Sequence, residues 1–549
     1  MQKSGKLELT WVGKYEQKEI EPRILVEDKS KSYGDPDSEN MLIHGDNLIA
    51  LKALEQDYAG RIKCVYIDPP YNIDAAGVPY VDNIEHSLWL SIMKSRLQCL
   101  YELLTEGGFL FVQIDDEEYP YLAVLIDEVF GRSNRVNTIA VKMSEPTGVK
   151  MSHVDKRLPK LKEYILVYKK GDIILNEVKV PKEKWDKEYK LFITNATREG
   201  VNRFKEIMNS DNAPEEMLRE ADEIVKSYEI VNIEEIFKLN GIVKEEDKDK
   251  FRYDNAWRIL RDVATTGGAK TIADNKRKSC SGNFFVIQTP QKKIYLIKNN
   301  YNEESSQPRI KMLFADDYLM VNPCDLWTDI STTGLDNEGV VEFPKSKKPE
   351  KLISRILEIA TNKDDIVLDS FLGSGTTAAV AHKMGRRWIG IELGDHAYTH
   401  CKVRMDKVID GEQGGISKAV NWQGGGGYKF YELAPSLLVP NPKLPTIKQI
   451  NPEYTFEMMC EAICKLEGFR YKPDGKFHGK SSEQRFIHIT KEFVNGEYIN
   501  SLLSNLGKGQ SLLVYGMKIQ SGLRLPDNII VKKIPKDLLD KCTFESEVK

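Results

Sequence analysis

"VLDSFLGSGTTAAVAHKMG", residues 367–385, reads as a short apolar strand, a tight Gly-x-Gly turn and an alanine-rich helix. Gly373 and Gly375 permit positive φ and let a ligand approach the backbone closely, and the helix that follows offers unpaired N–H groups at its start. The next strand, "WIGIE", ends in Glu392, an acid able to take both hydroxyls of a ribose. Strand, turn, helix and acid-ended strand fit an adenosine-containing ligand on a doubly wound sheet. A nicotinamide dinucleotide fits less well, because the spacing is not Gly-x-Gly-x-x-Gly and because Asp369 and Phe371 crowd an acid and an aromatic beside the turn. A zwitterionic, phosphate-free ligand suits that setting. The phosphate-loop lookalike "ATTGGAKT", residues 264–271, has Ala264 and Ala269 where both glycines are required, which removes an ATPase reading.

Toward the N-terminus the same alternation recurs. "MLIHGD", a helix from Asn47 to about Gln56, "CVYID", an amphipathic helix near Ser87 to Leu104, "GGFLFVQID" and a helix ending near Phe130 imply a mostly parallel sheet. Its strands end in Asp46, Asp68 and Asp115, and carboxyl ends are where such sheets bind ligands. Asp115 can equally cap the following helix. Residues 175–260, with "PEEMLREADEIVKSYE" and "KEEDKDKFR", are charge-dense, show little core signal and read as an insertion decorating the sheet. From Ile366 the alternation resumes, so the sheet is expected to come from two separated segments of chain. After "WQGGGG", residues 422–427, read as a flexible link, a small C-terminal unit carries the strands "RFIHIT", "SLLVYG" and "NIIVKKI".

At 549 residues the chain is too long for one core, and roughly three units are expected. No apolar run approaches the ~20 residues of a membrane span. Met1–Lys6 is not followed by the apolar core of a signal peptide, so the protein is expected in the cytoplasm. Cysteines 64, 99, 280, 324, 401, 460, 464 and 542 form no Cys-x-x-Cys pair and read as reduced thiols rather than zinc ligands, Cys460 and Cys464 as a packed pair on one helix face. The net charge of −4 neither demands nor excludes nucleic acid, but Gly267–Lys298 is distinctly basic. It holds Lys270, Lys276, Arg277, Lys278, Lys292, Lys293 and Lys298 against the single acid Asp274, interleaved with Phe284, Phe285 and Tyr295. This is a candidate DNA-facing surface, the alternative being a solvated basic hairpin.

"VYIDPPYN", residues 65–72, is a strand that stops at a carboxylate, a rigid Pro-Pro corner and an aromatic. Asp68-Pro69-Pro70-Tyr71 followed about 300 residues later by Phe371-x-Gly373-x-Gly375 resembles an amino-methylating DNA methyltransferase of the β arrangement, with the catalytic motif before the cofactor motif. More closely the chain resembles the modification (Mod) subunit of type III restriction-modification systems. The likeness extends through "HGDNLIALKAL", "WLSIMKSRL", "KEYILVY", "GGISKAVNWQGGGGYKFYELAPSLL" and "KKIPKDLLDKC". Ser370 departs from it, since the family often has proline there.

The resemblance implies a doubly wound Rossmann-like methyltransferase sheet and S-adenosylmethionine as methyl donor, with no metal required. An exocyclic amine is a poor nucleophile until acceptors for its hydrogens favour the pyramidal nitrogen. Asp68 is one acceptor, and the Pro69 carbonyl, fixed by Pro70, is implied as the other. Tyr71 offers a face on which a flipped base stacks. Asp46, Lys348, Phe371 and Thr376 are implied near the cofactor, beside Asp369, Gly373, Gly375 and Glu392. Lys348 can also be read as a solvated charge of the basic "SKKPEKL".

The expected order is an N-terminal extension (1–40), a catalytic half (41–144), a target recognition region with helical insertion (145–320), a cofactor-binding half (321–427) and a small α/β C-terminal domain (428–549). By the resemblance, Asp68 rather than serine at the head of the motif implies adenine N6 as target. Cytosine N4 is the alternative, and a catalytically idle DNA-binding scaffold is another. The implied partners are double-stranded DNA, a second copy in a homodimer and a separate ATP-dependent restriction subunit. The C-terminal unit is a candidate surface for assembly.

Overall fold

Apolar residues alternate between two faces in the strands at the middle of the chain's main sheet, and this alternation organises the fold. The computed structural model describes residues 8–539 apart from 17–19, 22, 73–84, 146–157, 183, 211, 340, 342 and 344–346. Met1–Lys6 and Cys542, both read from the sequence above, lie outside the described residues. In chain order the main strands are β1 (Leu25–Glu27), β2 (Met41–His44), β3 (Ile62–Ile67), β4 (Leu104–Ile114), β5 (Arg135–Lys142), β6 (Lys162–Lys170), β7 (Leu326–Trp327), β8 (Ile366–Asp369), β9 (Arg387–Glu392) and β10 (Gly427–Leu433). They lie in the order β1-β10-β2-β9-β8-β3-β4-β6-β5-β7, and the short strand Tyr33–Gly34 pairs with β10 as the eleventh. From β10 to β4 neighbouring strands are parallel, and β6 runs antiparallel between β4 and β5.

The two halves of the chain each cover one face. Cys64, Tyr66 and Val367 point to the side where Leu352, Ile353 and Ile356 of helix Glu350–Ala360, Ala378–Ala381 and Met405 pack. Val65, Ile67 and Leu368 point to the other side, against Ala50, Leu51 and Leu54 of helix Asn47–Tyr58, Trp89, Met93 and Leu97 of helix His86–Leu103, and Leu122. This is the period-two side-chain pattern of strands buried on both faces. From the adjacent β8 and β3, the chain continues to β9 on one side and to β4 on the other. The connections therefore diverge at that junction, and their divergence opens a crevice at the carboxyl ends of these two strands.

Two expected boundaries differ from the structure. β6 lies inside the main sheet, so the segment from 145 does not belong wholly to an insertion; a separately compact unit spans Lys179–Pro323. β10 is also internal to the sheet, with Tyr428 and Phe430 buried, so the C-terminal unit begins after Leu433 rather than at 428. The glycine run is the reason. Gly424, Gly425 and Gly426 take positive φ, and a Cβ on Gly427 would collide with the Asp35 backbone, so the run folds the chain back beside β2.

The C-terminal unit has a five-stranded sheet, Arg470–Tyr471, Gly479–Ser482, Arg485–Val494, Ser511–Ile519 and Ile529–Lys533. Its core joins Cys460, Ile463 and Cys464 of helix Phe456–Leu466 to Ile487, Tyr515 and the N-terminal Ile24. The sequence reading of the two cysteines as packed thiols agrees with their complete burial. The unit is tied to helix Asn47–Tyr58 by Lys465 Nζ, which donates to the Ala53 carbonyl at 2.9 Å.

Lys179–Pro323 is built on a six-stranded antiparallel sheet, Ile230–Asn232, Leu191–Ile193, Ile259–Ala264, Arg309–Phe314, Ile294–Lys298 and Phe284–Gln288. Its helices are amphipathic and not decorative. Val201, Phe204, Ile207, Ala221 and Val225 cover one face against Phe284 and Leu296, while Ala273 of helix Gly267–Arg277 covers Phe285 and Ile297 on the other. Among the described residues no helix is long and apolar enough to cross a membrane.

Candidate active site

Asp68 follows β3 directly and stands at the junction of β3 and β8, with Pro69 buried behind it. The Pro-Pro corner is held from helix His86–Leu103, whose Trp89 Nε1 donates to the Pro70 carbonyl at 3.0 Å. The turn closes on Asn72, in the left-handed region at φ 57°, whose amide donates to Glu118 at 2.9 Å. Tyr71 then folds back, and its hydroxyl lies 2.8 Å from Asp68 Oδ1 and 2.7 Å from Glu163 Oε2.

Two residues drawn from other strands and loops complete this cluster. Lys348 Nζ is 2.9 Å from Asp68 Oδ2, 2.9 Å from the Tyr71 hydroxyl and 3.5 Å from Glu163 Oε2. Glu163, at the start of β6, also receives Gln113 Nε2 at 2.5 Å, and Gln113 in turn accepts the Tyr66 hydroxyl at 2.7 Å. The resemblance implies Lys348 near the cofactor; its side chain sits on the acid of the Asp-Pro-Pro-Tyr motif, and its carbonyl accepts from Thr376 Oγ1 beside the glycine turn at 3.3 Å. Lys348 is not a solvated charge. Burial pushes the Asp68 carboxyl above its ordinary value in spite of Lys348. Burial opposes ionisation of Glu163 too, but Lys348 and the Gln113 and Tyr71 hydrogen bonds outweigh it and hold that carboxyl below its usual range. Lys348 is raised, the two carboxylates outweighing its own burial.

Across the crevice, β8 ends in Asp369, which is buried and accepts from Phe371 N at 2.9 Å and Thr377 Oγ1 at 2.6 Å. Burial pushes its carboxyl up to about 7. Gly373 and Gly375 take φ of 57° and 81°, and a Cβ on Gly375 would press on Cys401 Cα at 3.3 Å. Glu392, at the end of β9, is buried and folded onto the turn, accepting from Gly373 N at 2.7 Å and Gly394 N at 3.2 Å. Asp46 caps helix Asn47–Tyr58, accepting from Leu48 N and Ile49 N, and Asn47 Nδ2 donates to the Ser370 carbonyl at 2.8 Å. Ser370 Oγ, at the residue where the family often has proline, is buried without a hydrogen-bond partner among the described residues. Phe371 packs on the same core face as Tyr71. The Thr376 hydroxyl is buried; it accepts from Arg404 Nη1 at 2.7 Å and lies 3.2 Å from Ser374 Oγ of the turn.

The structure thus brings Asp68, Tyr71 and Lys348 into one cluster and gathers Asp46, Asp369, Phe371, Gly373, Gly375 and Glu392 around the neighbouring turn. Asp115 belongs to neither. It is buried under Lys160 at 2.5 Å and accepts from Glu117 N at 2.8 Å, a local turn. Glu163 and Gln113 were missed by the sequence reading, although "KEYILVY" had been quoted for its resemblance. A glutamate at the head of an apolar strand was the available signal.

The basic residues of Gly267–Lys298 divide into two groups. Lys270 pairs with Asp274 at 2.7 Å, Lys298 with Asp262 at 3.0 Å and Arg277 with Glu303 at 3.1 Å; Lys276 pairs with Asp222 and donates to the Val286 carbonyl at 2.6 Å. These four hold the unit together. Lys278, Lys292 and Lys293 are exposed and form no ion pair among the described residues, the last two at a hairpin turn beside Lys311, which burial, and then Lys293, hold below its ordinary value. Phe284 and Phe285 are buried, so the expected exposed aromatic faces reduce to Tyr295, which carries Lys311 Nζ 3.7 Å from its ring centroid.

Comparison with known proteins adds sequence likeness to this geometry. A family model described as DNA methylase matches residues 62–202 and 192–402. The chain is 37% identical over 432 residues to the probable type III restriction-modification enzyme HindVI Mod subunit of Haemophilus influenzae, a match covering 75% of this chain and 56% of that one. It is 31% identical over 427 residues to the EcoPI Mod subunit of Escherichia phage P1, covering 68% and 60%, and 25% identical over 496 residues to the EcoP15I Mod subunit of Escherichia coli, covering 78% and 71%. The matches to the first two take in 56% and 60% of those relatives' own lengths.

Proposed function

The chain belongs to the DNA methylase family, and from that premise we propose that it moves a methyl group from S-adenosylmethionine to adenine N6 in duplex DNA as the modification subunit of a type III restriction-modification system. The observation that carries the reading is the meeting of Asp68 and the Gly373–Gly375 turn where the sheet's connections diverge. A carboxyl acceptor and a glycine turn open to close backbone approach there face the same crevice.

The donor set around the turn suits this cofactor. Asp46, Asp369 and Glu392 gather hydrogen-bond acceptors at the turn, Asp46 paired with Arg96 Nη2 at 3.3 Å, and Lys348 is committed to Asp68; a ligand that offers ribose hydroxyls suits that set better than a phosphate does. Glu392 would hold the ribose hydroxyls on lone pairs left free by its two backbone donors, and the orphaned Ser370 Oγ is a further polar atom in reach of the turn. When bound, S-adenosylmethionine supplies a methyl already activated on a sulfonium. The residues therefore need only to align the attacking nitrogen and raise its nucleophilicity. Asp68 accepts one amine hydrogen and the Pro69 carbonyl the other, favouring the pyramidal nitrogen; Tyr71 stacks the base, which must leave the helix to reach the crevice.

The acid at the head of the motif supports adenine over cytosine, by the family resemblance. The likeness to type III Mod subunits supports DNA as the substrate and a restriction subunit as partner; the homodimer, the ATP dependence of that subunit and the cytoplasm are what the family resemblance implies. Incubation with methyl-labelled S-adenosylmethionine and unmethylated duplex DNA tests the reading. Label should enter DNA, and Asp68→Ala should lower turnover by a factor on the order of 100 while sparing cofactor affinity. Equal turnover in the variant would remove Asp68 from the chemistry.

A further inference from the structure

The Tyr71 hydroxyl has one proton and two carboxylates within reach of it, Asp68 Oδ1 at 2.8 Å and Glu163 Oε2 at 2.7 Å. It can donate to only one of them. Lys348 Nζ, 2.9 Å away, donates to the hydroxyl's lone pair and also holds Asp68 Oδ2, so Lys348 leaves the choice between the two acceptors open. Glu163 is the better prepared. Tyr66 donates to Gln113 Oε1, which turns the Gln113 amide N–H toward Glu163 at 2.5 Å, and no equivalent side-chain amide serves Asp68 Oδ1 among the described residues. The directions in which burial and charge move the two carboxyls agree with this: Glu163 is held down and Asp68 pushed up. A firmly ionised carboxylate is the stronger acceptor.

The choice has a consequence for catalysis. A Tyr71 proton directed at Asp68 Oδ1 would fill one of that oxygen's two lone-pair sites and draw on its negative charge, weakening it as an acceptor for the target amine. We propose that Glu163 is a positioning residue for methyl transfer, which accepts the hydrogen bond of the Tyr71 hydroxyl and so leaves Asp68 Oδ1 at full strength as an acceptor for the amine. In this role Glu163 acts through Tyr71. Gln113 and Tyr66 extend the arrangement into the sheet, from β4 and β3, where their rigidity fixes its direction. This inference rests on the methyltransferase reading.

Single-turnover transfer of labelled methyl from S-adenosylmethionine to unmethylated genomic duplex DNA by the full-length chain tests it. Glu163→Gln keeps the size and an acceptor oxygen but loses the charge, so the Tyr71 proton swings to Asp68 and the rate should fall on the order of 10-fold or more, with cofactor Kd within about twofold of wild type. Adding Tyr71→Phe removes the competing donor, and the double variant should then be faster than Glu163→Gln alone, an effect that simple loss of packing would not produce. A wild-type rate for Glu163→Gln, a double variant no faster than the single, or parallel loss of rate and cofactor binding would each overturn the assignment. A wild-type chain that transfers nothing would overturn the methyltransferase reading itself, and the inference with it.

Discussion

Asp369 shows how one buried side chain ties stability to pH at the cofactor turn. Its carboxyl, pushed up by burial, titrates at about 7 in the folded chain, against ~3.9 for an unperturbed aspartate. Between those values the folded chain holds a proton that the unfolded chain has released, so this group's contribution to stability declines as pH rises from ~4 to about 7 and stays lost above it. Asp369→Asn keeps the acceptor for Phe371 N and cannot ionise. Its melting temperature should exceed that of wild type at pH 8, with the gap shrinking at pH 5. A gap that does not depend on pH would show that Asp369 is not protonated in the fold. At this scale the motif residues were legible because the chemistry of Asp68, Tyr71 and the glycines is local: a strand that ends in an acid and a corner announces itself within eight residues, 65–72. Glu163 was not, because it lies on another strand and meets Asp68 only through the insertion of β6 between β4 and β5.

Among the elements, the hairpin turn at Lys292 and Lys293 is where the sequence reading of a DNA-facing surface survives in part. A basic run does not say which lysines are spent on the fold. Lys276 bridges Asp222 and the Val286 carbonyl, whereas Lys292 and Lys293 project from the turn unpaired among the described residues. Replacing Lys292 and Lys293 together by alanine should weaken duplex binding and reduce the slope of log K against log salt by up to about 2, since each phosphate contact releases close to one counterion. Lys276→Ala should instead lower the melting temperature with little change of slope. The opposite assignment of the two effects, in binding titrations over a salt series, would place the DNA contacts elsewhere. The aromatics were misread for a related reason. "FFVI" is a continuous apolar run, and a run without alternation marks a strand covered on both faces, as Phe284 and Phe285 are by two different helix layers.

For the whole molecule, the two-segment sheet was readable from alternation, because each segment supplies strands and the helices for one face. The boundaries were not. Four successive glycines look like a linker, yet they turn the chain so that β10 fills the place between β1 and β2, where Tyr428 and Phe430 enter the core. A chain ending at residue 427 should therefore lose cofactor binding with its fold, while one ending at residue 440 keeps β10 and should retain binding; calorimetric titration with S-adenosylmethionine separates them. Equal binding by both would mean that β10 is dispensable to the sheet. Above all of these stands the claim that Asp68 and the Gly373–Gly375 turn together make an adenine methyltransferase. The most direct test is to digest duplex DNA treated with the chain and S-adenosylmethionine to nucleosides and identify the methylated base by mass. The account predicts 6-methyladenine, absent from DNA treated with Asp68→Ala; 4-methylcytosine in its place, or no methylated base from the wild-type chain, would contradict it.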